Sequence, residues 1–157
     1  MANIYSIDSD SFIRAWRHDY PPDVFPSVWD KLSSLAEAGR IISCEEVLLE
    51  LERREDDLYK WAKARDYMFR SPERPIEEVV SKIVNRWPEF IPEDSRDGVW
   101  ADPYVIGVAF VHKATVITNE NLVGENAKKP QIPNICNSLD IAWSCFIELL
   151  RNEKFQF

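Results

Sequence analysis

Three apolar runs of four or five residues punctuate a chain otherwise written at helical spacing: NIYSI at 3–7, RIIS at 40–43 and ATVIT at 114–118. Such runs are too short for buried helices and suit strands covered on both faces, as in a parallel sheet. Between them, apolar residues recur every three or four positions. Ser9 to Trp16 starts one helix, with Phe12, Ile13 and Trp16 on one side. In VFPSVWDKLSSLAEAG at 24–39, Val24, Phe25, Val28, Trp29, Leu32, Leu35 and Ala36 form a stripe, and Gly39 is a stop. Residues 44–55 read as a helix capped by Ser43, with Glu46 completing a capping box. A further helix is expected over 57–69. The clearest stripe runs from Ile76 through Val79, Val80, Ile83 and Val84 to Trp87. Residues 103–112 predict a helix buried on most sides, and 139–151 a last one. HDYPPD at 18–23, SPERP at 71–75, residues 88–100 and NENLVGENAKKP at 119–130 read as turns and loops.

This alternation predicts an α/β fold: a small central parallel sheet flanked by helices in three layers, in one domain over 1–157. Sheets of this kind bind ligands beyond the carboxyl ends of their strands. That edge would gather Asp8, the helix start after the second strand, Asn119 and Glu120. Asp102 joins them, because a helix feeding the last strand must begin at the strand-end edge.

Charge narrows the choice of partners. The formal net charge is −8, which argues against a broad basic footprint for nucleic acid. It leaves room for a nuclease with a local positive rim, and it favours basic peptides and divalent cations. Cys44, Cys136 and Cys145 form no Cys-x-x-Cys pair and read as reduced, buried thiols. The opening MANIYSIDSDS turns acidic too soon for a signal peptide, and YVIGVAFV at 104–111 is too short to span a bilayer as a helix. The expectation is a cytoplasmic protein without a membrane segment.

Each acid at that edge has two readings. Asp8 caps the following helix or supplies a functional carboxylate. Asp10 is a first-turn acid or a neighbour of Asp8's site. Glu50, in the apolar VLLELE, faces solvent or a polar pocket, since a lone carboxylate on a core face is costly. Glu46 shares its helix face. Asp102, before Pro103, opens a helix as a cap or keeps an oxygen free for chemistry. Glu120 is a solvated loop acid or closes a ring of carboxylates, with Asn119 as a helper. Four acids brought together repel and need cations. Mg²⁺ or Mn²⁺ takes oxygen ligands and can activate water toward phosphate esters, which opens a route to phosphodiester hydrolysis without Ser, His or Cys.

The ordered set resembles the PIN nucleases. YSIDSDSFI looks like their first motif, a strand-end Asp followed two residues later by a small polar residue. SCEEVLLELE looks like the second, with Glu50 at the acid position. ADPYVIGVAFVHKATVITNE looks like the third and fourth, and the likeness continues through IPNICNSLDI at 132–141. The chain is similar to a PIN-like branch carrying IDS-x-x-FI, P-x-x-W, ADP and TNE, related to toxin–antitoxin ribonucleases. The resemblance implies a three-layer PIN-like fold. It implies an endoribonuclease using Mg²⁺ or Mn²⁺ held by a catalytic quartet of Asp8, Glu50, Asp102 and Glu120, with Ser9, Asp10 and Asn119 as auxiliaries. An RNA substrate, an antitoxin protein and a homodimer are the implied partners. Two departures stand out: Glu120 replaces the usual Asp, and Asp10 stands where Asn is common.

Arg14, Arg17, His18, Lys128 and Lys129 are candidates to guide the strand, or plain surface residues. Two rival functions remain. One is a catalytically weak or inactive PIN-like module that binds a protein. The other is an Asp-x-Asp phosphatase, suggested by DSD, which lacks the late acid pair and has Lys113 at the wrong edge.

Overall fold

The computed structural model describes residues 2–92 and 100–156. Its centre is β1, Tyr5–Ile7, fully buried along its length. β2 (Ile41–Cys44) pairs with it in parallel, Tyr5 opposite Ile41. β4 (Thr115–Ile117) pairs in parallel on the other side, Ile7 opposite Ile117. Two shorter strands complete the sheet: β3 (Phe69–Arg70) beside β2 and β5 (Trp143–Ser144) beside β4. The order is β3-β2-β1-β4-β5, all parallel.

Helices cover the sheet, so the expected small parallel sheet between helical layers is present. α6 (Asp102–His112) lies against β1, β2 and β4, and α5 (Arg74–Arg86) packs on α6. Their close approach uses Gly107, where a Cβ would stand 3.3 Å from the Cγ2 atoms of Ile76 and Val80. α1 (Ser9–Arg14), α2 (Pro26–Glu37), α3 (Glu45–Glu52) and α4 (Asp57–Lys63) form the rest of the cover over the first half of the chain. Aromatic contacts join them: Trp16 to Trp29 at 4.6 Å, Trp29 to Trp61 at 5.1 Å and Phe12 to Trp61 at 6.4 Å. Fully burying a side chain such as Phe12 or Leu32 contributes roughly 1.5–3 kcal/mol. At the amino edge of the sheet, Glu153 accepts from Tyr5 Oη at 2.7 Å and Arg40 Nη2 at 2.5 Å, tying the end of the chain to β1.

Several boundaries differ from the pattern. The first helix stops at Arg14 and widens into a π turn over Ala15–Asp19, closed by Tyr20 N–H donating to Ala15 O at 2.7 Å. This wider turn carries Trp16 to its ring partners. Ser43 does not cap α3: it belongs to β2 and its hydroxyl donates to Ile7 O at 2.8 Å, while Cys44 occupies the cap position. The helix expected over 57–69 ends at Lys63, because Phe69 and Arg70 are drawn into β3 by pairing with Ser43 and Cys44.

The span expected as one helix over 139–151 holds two elements instead, a strand and a shorter helix. α7 (Ile132–Ser138) precedes it, Asp140 adopts φ +57°, β5 pairs with β4, and α8 (Phe146–Asn152) begins afterwards. Gly39 does stop α2, with φ +73°. The loop expected over 88–100 begins with a 3₁₀ turn at Pro88–Phe90, and 93–99 lie outside the described residues. Cys44, Cys136 and Cys145 are free thiols, the first two buried and the third half-buried. No described helix is long and apolar enough to cross a membrane.

Candidate active site

Parallel pairing puts the carboxyl ends of β1, β2 and β4 on one edge, and the predicted acids follow them. Asp8 leaves β1 with its N–H donating to Ile117 O at 3.1 Å, which extends the ladder one residue past the strand. Its side chain caps α1, Oδ1 accepting from Ser11 N–H at 2.8 Å. Capping and convergence are therefore both true of Asp8, not alternatives. The residue is 3% exposed. Burial pushes its carboxyl up to about 6, against the pull of hydrogen bonds from Ser11 and Thr118 and with a small further push from Asp10.

Asp102 is the first residue of α6, but Ala101 holds the cap position and, among the described residues, no side chain caps that helix. Capping thus does not account for Asp102. Its carboxyl is pushed up to about 8, first by burial and then by the charges of Asp8, Glu120 and Glu50. The four predicted acids come from distant segments, and their charges meet at Asp102.

Glu50 is turned into a polar pocket. Oε2 accepts from the Ser9 hydroxyl at 2.5 Å and Oε1 from Ala101 N–H at 3.0 Å. It therefore links α3 to the first residue of α1 and to the residue that opens α6. Glu120 is half-buried: its N–H donates to Thr118 Oγ1 at 3.1 Å, and its Oε1 accepts from Ile132 N–H at 3.0 Å. Burial raises its pKa, opposed by the Ile132 N–H and by Lys129. Asn119 Nδ2 donates to Asp10 Oδ2 at 3.4 Å, so the two auxiliaries meet each other at the rim. Glu46 stands apart, its electrostatic neighbours being Glu45, Cys44 and Glu77.

Three residues at this edge carried no sequence signal. Thr118 holds both Asp8 and Glu120, and Ser11 supplies the cap bond to Asp8. Gln131, with its amide nitrogen turned toward Glu120, reaches both carboxylate oxygens at 3.1 Å. A hydroxyl one residue beyond a strand looks like ordinary turn chemistry; only the parallel register gives Thr118 its neighbours.

All four acids are oxygen donors at one edge of the sheet, the donor type that hard divalent ions take. Among the described residues, no three His, Cys, Asp or Glu groups stand together tightly enough to hold a metal ion. Mg²⁺ commonly takes one or two carboxylates and keeps several waters, so the donor chemistry fits such an ion without a closed cage of side chains.

The candidate guiding cations are already partly engaged. Arg14 Nε lies 3.4 Å from Asp19, and Arg17 Nη2 donates to Asp56 Oδ2 at 3.0 Å. Arg14, Arg17 and His18 line one cleft with Asp10 and with Arg54, which the sequence reading did not single out.

A family model described as Domain of unknown function (DUF4411) matches residues 5–157. No curated protein matches the chain. Among solved structures, the fold is similar to the crystal structure of VapBC2 from Rickettsia felis bound to a DNA fragment from their promoter. That likeness has 13% sequence identity and a TM-score of 0.53, and it covers 91% of this chain and 98% of the other.

Proposed function

Since this chain belongs to the DUF4411 family, whose description names no activity, we propose a function from its own residues: a metal-dependent endoribonuclease that hydrolyses RNA phosphodiester bonds. The observation that carries this reading is the convergence of Asp8, Glu50 and Glu120 on the half-buried carboxyl of Asp102 at the carboxyl edge of a parallel sheet. Such crowding is unfavourable unless a cation or a proton relieves it.

Asp8 and Asp102 would hold the ion, a role that suits the two carboxyls most perturbed by burial. When bound, Mg²⁺ or Mn²⁺ would supply a polarised phosphate and a water of lowered pKa. Glu120 would orient the attacking water, its own carboxylate steadied by Ile132 N–H. Glu50, with both oxygens engaged, acts as a positioning residue that fixes Ser9 and Ala101 and so the spacing of Asp8 and Asp102. Asp10 and Asn119 would meet the strand at the rim.

The fold likeness to VapBC2 and the PIN-like motif order support a place among toxin–antitoxin ribonucleases. On that reading the chain binds an antitoxin protein and forms a homodimer in the cytoplasm. The absence of a three-donor metal cluster among the described residues favours one rival, a module that binds a basic partner protein and has lost turnover. Cleavage of structured and unstructured RNA, with Mn²⁺ and with EDTA, separates the two. Mn²⁺-dependent cleavage abolished by Asp8→Asn is the expected result. Cleavage that persists in EDTA, or equal activity in the variant, sinks the mechanism.

A further inference from the structure

Beside Glu120, past the carboxyl ends of β4 and β5, a cleft of about 400 Å³ opens between the π turn and the start of α8. Arg14, Asn119, Glu120, Trp143 and Ser144 are among the residues that line it. The acid site uses only Glu120 and Asn119 of these. Trp143 is half-buried, and its indole N–H is already committed to Asn137 Oδ1 at 2.9 Å. What Trp143 can offer a ligand is therefore its ring. Ser144 Oγ is buried and has no hydrogen-bond partner among the described residues. A buried hydroxyl left alone is unusual, and a change of χ1 well would let it reach a ligand.

The neighbouring cleft, lined by Arg14, Arg17, His18 and Arg54, has a different character. The two clefts share Arg14 and Asp19, and the Asp10–Asn119 hydrogen bond stands between them. One side thus carries guanidinium groups, those of Arg14 and Arg17 shared with Asp19 and Asp56, that can meet phosphates, and the other an aromatic ring with short polar groups for a base. This pairing of a basic track with a stacking surface is how proteins hold unpaired nucleic acid.

Resting on the ribonuclease reading, we propose that the cleft at Trp143 and Ser144 is a nucleobase pocket. It holds the base of an unpaired nucleotide next to the scissile phosphate, with Arg14 at its mouth on the backbone. The pocket, not the acid quartet, then sets which base lies beside the cut. Trp143 supplies stacking and Ser144 the hydrogen bond that distinguishes one base edge from another.

The test uses the full chain carrying Asp102→Asn, which prevents turnover, and short RNA homopolymers of A, C, G and U followed by fluorescence anisotropy. The parent should prefer one homopolymer. Trp143→Ala should weaken that homopolymer on the order of tenfold. Ser144→Ala should flatten the preference without lowering the thermal midpoint, because its hydroxyl has no hydrogen-bond partner among the described residues. Arg54→Glu should weaken all four homopolymers alike and keep the preference. The pocket is overturned if the parent shows no preference, or if Ser144→Ala and Trp143→Ala (Trp143→Leu where the alanine variant does not fold) bind all four as the parent does. A cleaving wild type whose cut-site preference survives both variants also overturns it, with the ribonuclease reading intact. A preference lost in both variants, in a chain that cleaves nothing with Mn²⁺, supports the pocket and removes the nuclease reading.

Discussion

The Ser9 hydroxyl donates to Glu50 Oε2 at 2.5 Å, across 41 positions of sequence. The other oxygen of that carboxylate holds the backbone of Ala101, the residue before Asp102. A single side chain thus sets two of the acid-bearing segments relative to each other. Glu50→Ala leaves the Ser9 hydroxyl and the Ala101 N–H without that acceptor, and should destabilise by about 1–3 kcal/mol. Glu50→Gln keeps an acceptor for Ala101 and should lose less. Urea denaturation of the two variants checks the order; equal losses would mean the carboxylate does not bridge these segments.

Asp102→Asn removes the charge that the other acids crowd. In chelator at pH 8 the variant should melt higher than the wild type, by at least about 1 kcal/mol in stability. With Mn²⁺ the same variant should cleave no RNA. A lower melting midpoint in chelator would show that Asp102 is not held against like charges.

The pH dependence follows from the signs. Asp8 and Asp102 carry folded values of about 6 and about 8, above the ordinary aspartate value near 3.9. Their contribution is fully present below the unfolded value and is lost as pH rises through those folded values. Glu153 behaves oppositely. Burial raises it, but hydrogen bonds from Arg40 and Tyr5 and the Arg40 charge outweigh burial and leave its pKa lowered. Its contribution is present above the unfolded value and is lost as pH falls through the folded one. Melting curves in EDTA should therefore peak in mildly acidic buffer and decline toward pH 8, and Mn²⁺ should remove the alkaline decline. Glu153→Gln should flatten the acid limb only.

Gly107 sits where α5 meets α6, with Ile76 O 3.4 Å and two methyl groups 3.3 Å from where a Cβ would be. Gly107→Leu should cost about 1–3 kcal/mol through overpacking. A guanidinium chloride midpoint unchanged from wild type would show that the two helices can part there.

Much of this was legible in the residues. The runs around Tyr5, Ile41 and Val116 announced a parallel sheet because buried strands need apolar groups on both faces, and Ile76 to Trp87 announced α5 because its stripe is long. The four acids were legible as a set because strand ends and helix starts share one edge. Phe69–Arg70 and Trp143–Ser144 were not legible as strands: two residues carry no period, and pairing with β2 and β4 makes them strands. Ser43 misled for a related reason. Serine before two glutamates fits a capping box locally, yet the neighbouring strand offered Ile7 O to its hydroxyl. For Asp102 the local signal left a cap and a free carboxylate both open, and the fold gives the cap position to Ala101 instead.

The strand order also has a bearing on synthesis. β1 is made first but lies at the centre, and the bond from Asp8 N–H to Ile117 O must wait for a segment more than a hundred residues later. On the ribosome, Asp8 and Glu50 therefore emerge well before the segment that seats them, and Asp102 shortly before it. A nascent chain has no assembled acid site until β4 docks and Glu120 follows it. The acid edge of the sheet therefore stays incomplete until the chain has been made through Glu120.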